Sequence, residues 1–250
     1  MTLGILLSTF NGEKFIDLQI KSIINQTFQD WTLLICDDCS QDNTVKLLDY
    51  YSKIDSRISY QTNNKRLGPT FSFLNLLKTS NFKYVIFCDQ DDKWSVNKLE
   101  EIYKFIDLHK EDFLMGLHNG EFLIENNNSH LFNNKPILDK DRIYSGKPDL
   151  RFISLLKSNK VVGCLSFVDR EKIKKLIKIN PPKNKGIFLD YWLALIASTQ
   201  NSGIKFLDKN LISYRRHEGV ATLNKRSIIS KLITKFIIIY SLIINSFLQN

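Results

Sequence analysis

Apolar runs and amphipathic stretches alternate through the first half of the chain. Residues 3–9, LGILLST, form a continuous apolar run that predicts a buried strand, followed by the turn Phe10, Asn11, Gly12. Ile16, Ile20, Ile23 and Ile24 then recur at helical spacing and put one apolar face against a sheet. WTLLICDD, residues 31–38, is a second strand-like run, and it ends in Asp37 and Asp38. Ser40 or Asp42 can cap a helix carrying Val45 and Leu48, and residues 57–63 read as a short third strand. A basic turn at 64–70, NKRLGPT, opens a helix with Phe71, Leu74 and Leu77 on one side. Tyr84, Val85, Ile86, Phe87 and Cys88 make the fourth run, and it stops abruptly at Asp89, Gln90, Asp91, Asp92. Such alternation predicts a parallel sheet with helices on both faces. In such sheets ligands bind outside the carboxyl ends of the strands, which is where Thr9, Asp38 and Asp89 fall.

The second half is less regular. Leu99, Ile102, Tyr103 and Ile106 predict a packing helix over 97–109, and residues 125–150 turn polar and asparagine-rich, as a long loop would. VVGCLSFV, residues 161–168, reads as a strand, 178–186 as an exposed turn, and a helix is expected to start near Leu189. Two short strands, 204–208 and 211–216, lead to His217. Residues 228–248 are apolar apart from Lys231, Lys235 and scattered hydroxyl and amide side chains. A spanning helix needs about 20 predominantly apolar residues, and the uncharged part, Phe236 to Leu248, is shorter than that. With Lys225 and Arg226 before it, the segment suits a helix lying on an anionic membrane surface. A terminal helix packed on the body or on another subunit is the alternative.

Composition adds three constraints. A 250-residue chain with 43% hydrophobic residues supports one large α/β domain plus a tail, here 1–224 and 225–250. The net charge of +9 favours an anionic partner without choosing among phosphates, nucleic acid and an acidic membrane surface. Cys36, Cys39, Cys88 and Cys164 do not make a metal pattern and read as reduced, structural thiols. Met1 runs directly into a strand without a basic leader, so a cytoplasmic protein is expected.

The candidate chemistry lies at the acidic strand ends. Carboxylates as crowded as Asp89, Asp91 and Asp92 repel one another unless a cation neutralises them. Asp89 and Asp91 have the D-x-D spacing, which suits a hard divalent cation, Mn2+ or Mg2+, shared with phosphate oxygens. The cation would neutralise a diphosphate leaving group. The plainer reading has these aspartates only capping the next helix. Arg66, with Lys65, is a candidate for diphosphate contact, and Trp94 is expected to pack under the acidic loop.

Taken together, LLSTFNGEKFIDLQIKSIINQTFQDWTLLICDDCSQDNT, NNKRLG, YVIFCDQDDKW followed by NKLE, NKVVGCLSF, LDYWLALIAS and YRRHEG resemble family 2 glycosyltransferases. These are inverting enzymes of the GT-A fold, a Rossmann-like, mixed and mostly parallel sheet flanked by helices. The later motifs resemble the rhamnosyltransferase-like branch. The resemblance implies that Thr9 and Asn11 border the nucleotide and that Asp38 accepts hydrogen bonds from a uracil or thymine ring. It implies metal contact by Asp91 and by Asp89, the latter also near the ribose, and a general base at Asp190. His217 matches a histidine that often helps bind metal or diphosphate. Cys39 stands where the family commonly has glycine, and Leu189 where this branch often has histidine. The implied reaction moves a sugar from a UDP- or dTDP-linked donor to a hydroxyl of a glycan or lipid-linked acceptor at the inner face of the cell membrane. Acceptor choice is expected in 125–150. A nucleotidyl- or phosphotransferase would call for a glycine-rich phosphate loop, of which FNGEK at 10–14 is a poor version. A nucleic-acid module would show aromatics interleaved with a basic stripe, and here the strand ends are acidic.

Overall fold

The computed structural model describes residues 1–110, 112–124, 130–132, 135–137, 140–183, 187–201, 203–216 and 228–248. Four strands build a parallel half-sheet: β1 (Leu3–Thr9), β2 (Trp31–Asp37), β3 (Ile58–Thr62) and β4 (Tyr84–Cys88). They are joined by α1 (Ile16–Ile24), α2 (Thr44–Ile54) and α3 (Pro69–Thr79). β1 pairs in parallel with both β2 and β4, and β2 with β3, as the alternating pattern requires. Parallel strands are covered on both faces, and Ile5, Leu6 and Leu7 of β1 are accordingly all fully buried.

Beyond β4 come the two-residue strand β5 (Lys93–Trp94), α4 (Lys98–His109) and β6 (Met115–Ile124). β7 (His130–Phe132) and β8 (Lys135–Ile137) pair as a small antiparallel hairpin. α5 (Phe152–Lys157), a 3-10 turn over Gly163–Leu165 and β9 (Ser166–Asp169) follow, then α6 (Arg170–Leu176) and α7 (Leu189–Ala197). β10 (Ile204–Arg216) and the last helix, α8 (Ile228–Phe247), complete the chain. The main sheet runs β3-β2-β1-β4-β9-β6-β10-β5. It is mixed because β9 lies antiparallel between β4 and β6, whereas β10 runs parallel to β6.

Several expectations need correction. β6, the ten-residue strand at the centre of the second half, is not foreshadowed by the hydrophobic pattern, because His118 and Asn119 interrupt it and are nevertheless fully buried. The 125–150 loop is in part the β7/β8 hairpin, and Lys140 and Asp141 return to bond the Phe122 backbone on β6. The strand expected over 161–168 begins as the 3-10 turn, so only Ser166–Asp169 enters the sheet. The two short strands near the end are one, β10, whose register on β6 shifts between Leu207 and Ser213.

Gly116 of β6 lies directly over the Phe167 ring, which is packed edge-on against Phe105 and Phe113. A Cβ added at Gly116 would sit 2.1 Å from a ring carbon. Gly116→Ala is therefore expected to cost about 1–3 kcal/mol by overpacking. The check is the denaturation midpoint, which should fall at unchanged slope.

Candidate active site

The carboxyl ends of β1, β2 and β4 meet through side-chain bonds. Gln90, one residue past Asp89, is the clasp: its Oε1 accepts from the Thr9 hydroxyl at 2.6 Å and from the Phe10 N–H at 2.9 Å. Gly12 completes it, since a Cβ there would fall 2.5 Å from that same oxygen. Asn11 adopts a left-handed backbone, φ 47°, and its side-chain oxygen accepts from the Gln41 N–H at 2.9 Å, tying the β1 turn to the β2 turn. Cys39 is left-handed too, φ 67°. Its thiol donates to the Asn63 carbonyl at 3.0 Å, which anchors a side chain in a conformation that glycine adopts more cheaply.

Asp38 is buried, and its carboxylate accepts from Asn63 Nδ2 at 2.8 Å, the Leu67 N–H at 2.7 Å and the Gly68 N–H at 2.8 Å. These bonds fold the basic turn back over the strand ends. Gly68 takes φ 80° to start α3 behind Pro69. Held in this way, the Arg66 guanidinium stacks 3.8 Å over Phe10, beside Thr9 and Asn11.

At the end of β4, Asp89 is half-buried and Asp92 fully buried. Burial raises the Asp89 carboxyl well above its usual range, and the negative charges of Asp92, Asp91 and Asp190 push it further. Asp92 is likewise raised, by burial and by Asp91, and is pulled back by the Cys164 thiol, the Arg215 N–H and Lys98. Asp92 Oδ1 accepts that Arg215 N–H at 3.1 Å, and the Asp91 carbonyl accepts from Arg215 Nε at 2.8 Å, so β10 clamps the acidic turn. Beneath it lies Lys98, fully buried, 4.0 Å over the Trp94 ring, with Nζ donating to the Cys164 carbonyl at 3.1 Å. Burial lowers the Lys98 ammonium to about 8, and the surrounding thiols and carboxylates oppose that shift. Trp94 is buried under the loop, as expected.

Asp190 arrives from a hundred residues away. It lies in the first turn of α7, whose N-cap position is Phe188, so it is not the cap residue itself. Every other residue of α7 is buried, as in a helix apolar all round. Tyr191 and Trp192 belong to this core, the Tyr191 hydroxyl donating to the Leu155 carbonyl at 2.9 Å. The 3-10 turn forms the bridge to β4. A Cβ on Gly163 would lie 3.6 Å from Asp190 Oδ2, and the next residue, Cys164, has its sulfur within 4.8 Å of carboxylate oxygens of Asp89 and Asp92. Burial raises the Asp190 carboxyl to about 6, against the opposing pull of the Tyr191 and Asp190 backbone N–H groups.

Of the sequence candidates, Thr9, Asn11, Asp38, Arg66, Asp89, Asp91 and Asp190 thus gather around the strand ends, whereas His217 lies outside the described residues. Gln90, Lys98, Gly163 and Cys164 were not singled out for this site. YVIFCDQDDKW, NKLE and NKVVGCLSF held the signal, but spacing alone does not tell which of their side chains face it.

The same geometry tests the fit of a divalent cation. Among the described residues, Asp89, Asp92 and Cys164 have ligand atoms within 4.8 Å of one another, and Asp92 Oδ2 is buried without a hydrogen-bond partner. Carboxylate oxygens suit a hard cation. Cys164 does not, since burial holds its thiol protonated. The acidic turn therefore fits an oxygen-bound divalent ion.

Comparison with known proteins agrees with this arrangement. WfgD of Escherichia coli, a UDP-Glc:alpha-D-GlcNAc-diphosphoundecaprenol beta-1,3-glucosyltransferase, is 32% identical over 166 residues, 66% of this chain and 58% of that protein. The dTDP-rhamnosyl transferase RfbG of Shigella flexneri is 28% identical over 229 residues, 85% of this chain and 72% of that one. Among solved structures, S. aureus TarS 1-349 in complex with UDP-GlcNAc superposes with a TM-score of 0.70 at 21% identity, covering 95% of this chain and 65% of that one. The mannosyltransferase PcManGT from Pyrobaculum calidifontis, in complex with GDP-Man and Mn2+, gives 0.61 at 14% identity, covering 96% and 64%. The architecture is that of the GT-A fold. The family model for glycosyl transferase family 2 matches residues 5–177, from β1 through the acidic turn to the end of α6, and the chain belongs to that family.

Proposed function

We propose that this chain is an inverting, metal-dependent glycosyltransferase. It would move a sugar from a UDP- or dTDP-linked donor to a hydroxyl of a glycan or lipid-linked acceptor in surface polysaccharide biosynthesis at the inner face of the cell membrane. The observation that carries the reading is the meeting of two carboxylate environments, the crowded acidic turn and the half-buried Asp190, across Gly163 and Cys164. Family membership supports the reaction class. The names of WfgD and RfbG support the two nucleotide types and, for WfgD, an acceptor linked to undecaprenyl diphosphate.

On this reading Thr9 and Asn11 border the nucleotide, and Arg66 lies where a diphosphate would need a cation. Asp38 has three hydrogen bonds from its own chain and one acceptor site left for a base N–H. A divalent cation held by Asp89 with Asp91 or Asp92 would supply positive charge against the departing diphosphate. Asp190 takes the acceptor hydroxyl proton on a carboxylate oxygen as that hydroxyl oxygen bonds to the anomeric carbon. The bond from that carbon to the diphosphate breaks on the opposite face, its electron pair leaves with the nucleotide, and the configuration inverts. His217 is assigned with the metal or diphosphate, acceptor choice with residues 125–150, and the transferase domain with 1–224, leaving 225–250 as an accessory helix.

A thermal-shift screen of UDP- and dTDP-sugars, each with and without Mn2+ or Mg2+, tests the first step. Metal-dependent stabilisation by at least one donor is expected. If no nucleotide sugar stabilises the protein, the reading fails before any question of transfer.

A further inference from the structure

α8 is apolar on the side away from the body and mixed on the side toward it. Thr234, Ser241 and Asn245 are buried there with Ile238, and Ile237 and Leu242 pack partly buried against the core. Asn245 is fully engaged there: its side-chain oxygen accepts from the Lys178 and Ile179 N–H groups at 2.7 and 3.2 Å, and its amide donates to the Leu176 carbonyl at 2.9 Å. The opposite face is an uninterrupted apolar stripe of Leu232, Phe236, Ile239, Tyr240, Ile243 and Phe247. Phe236 is 72% and Phe247 77% exposed. A surface helix normally has polar residues outward. The buried polar side chains of α8 help to hold the helix to the protein, and the apolar outer face is left for something else.

Charge indicates what that is. The Asn245 bonds lay the end of α8 beside the last turn of α6 and the segment after it, where Lys174, Lys175 and Lys178 are exposed. The sequence has no carboxylate between Lys172 and Leu189, nor any from Gly219 to Asn250. Two copies joined by their stripes about a twofold axis would bring like-charged, acid-free segments together. A bilayer with anionic headgroups would attract both segments. No helix among the described residues is long and apolar enough to cross a membrane, so α8 would lie along the surface.

We propose that the outer face of α8 and the lysines at and just after the end of α6 form one docking surface for an anionic phospholipid bilayer. The stripe enters the acyl boundary, and Lys174, Lys175 and Lys178 meet the headgroups. The inference does not rest on the donor chemistry, because none of these residues belongs to the strand-end site.

Flotation of the full chain with phosphatidylcholine vesicles, with and without phosphatidylglycerol, tests it. The chain should float with the mixed vesicles and much less with the neutral ones. Lys175→Glu with Lys178→Glu should weaken partitioning by at least about fivefold per lysine. Phe236→Gln with Ile243→Gln should weaken it by about a hundredfold, with far-UV circular dichroism and melting little changed because both side chains are exposed. Equal flotation with neutral and anionic vesicles would overturn the proposal, as would flotation of the Phe236/Ile243 variant like the parent. A lipid-free dimer in sedimentation velocity that the Phe236/Ile243 variant abolishes would also overturn it, by assigning the stripe to a second copy.

Discussion

Replacing Asp190 with asparagine is expected to lower sugar transfer by about 10²–10⁴-fold, the usual worth of a general base, while nucleotide-sugar binding is retained. The substitution keeps the size of the side chain and removes only its capacity to take a proton. A pH profile separates this from a structural effect. Burial raises the Asp190 carboxyl from 3.8 to about 6, so in the free protein it holds its own proton below about pH 6 and cannot accept another. The wild-type kcat/KM should therefore climb about tenfold per pH unit in acid and level off above about 6. The Asp190→Asn variant should lack that limb. An acid limb that survives in the variant assigns the base to another group.

The second large effect belongs to the start of the acidic turn. Asp89→Asn is expected to abolish metal-dependent stabilisation by the donor and to lower transfer about a hundredfold or more. Its effect on the protein without donor runs the other way. Asp89 is raised by burial and by the charges of Asp92, Asp91 and Asp190, so its ionised form is a cost to the folded state at neutral pH that grows as pH rises past the unfolded value. An uncharged asparagine lacks that cost, and the melting temperature without metal should rise. Chelation of the wild-type protein should reproduce the loss of activity, and Mn2+ should restore it. Retained metal-dependent donor binding in Asp89→Asn would remove this residue from the site. Asp91→Asn and Asp92→Asn, read in the same assay, separate the D-x-D pairing from the Asp89, Asp92 and Cys164 grouping. Asp92→Ala should also destabilise the protein without donor, because it removes the Oδ1 that accepts the Arg215 N–H joining β10 to the turn.

The two experiments probe one design. Burial and mutual repulsion disfavour the charge of Asp89 and Asp92, and Lys98 beneath with the Arg215 N–H above offsets only part of that at Asp92. A protein selected only for stability would neutralise such a cluster. Its presence at the point where three strand ends converge is what a site that recruits a cation and a diphosphate requires.

The first half of the fold was legible because its strands are apolar throughout and its helices keep a helical period. Ile16, Ile20 and Ile23 are the apolar residues of α1 that bury, and β1, β2 and β4 lie within a residue of their expected bounds. The second half was not. His118 and Asn119 break the apolar pattern of β6, yet both are buried, and Asn119 accepts from the Tyr144 N–H and donates to its carbonyl. Tyr144 lies 25 residues away, so these bonds leave no local periodicity. The reversed direction of β9 has no signature either, since a buried strand reads alike whichever way its neighbours run.

The sequence by itself determined that several strands end in carboxylates on a parallel sheet, because strand period, the abrupt end of each apolar run and charge are local properties of neighbouring residues. It also supplied Asp190, through likeness to a family. Only the tertiary structure decided how these parts meet. Gln90 ties β4 to β1, Asp38 folds the Arg66 turn over the strand ends, and Gly163 with Cys164 spans from Asp89 and Asp92 to Asp190. It likewise turned Thr234, Ser241 and Asn245 of α8 inward. Both depend on contacts between residues far apart in the chain, and their geometry is fixed by sheet order and packing rather than by the spacing of residues along the sequence.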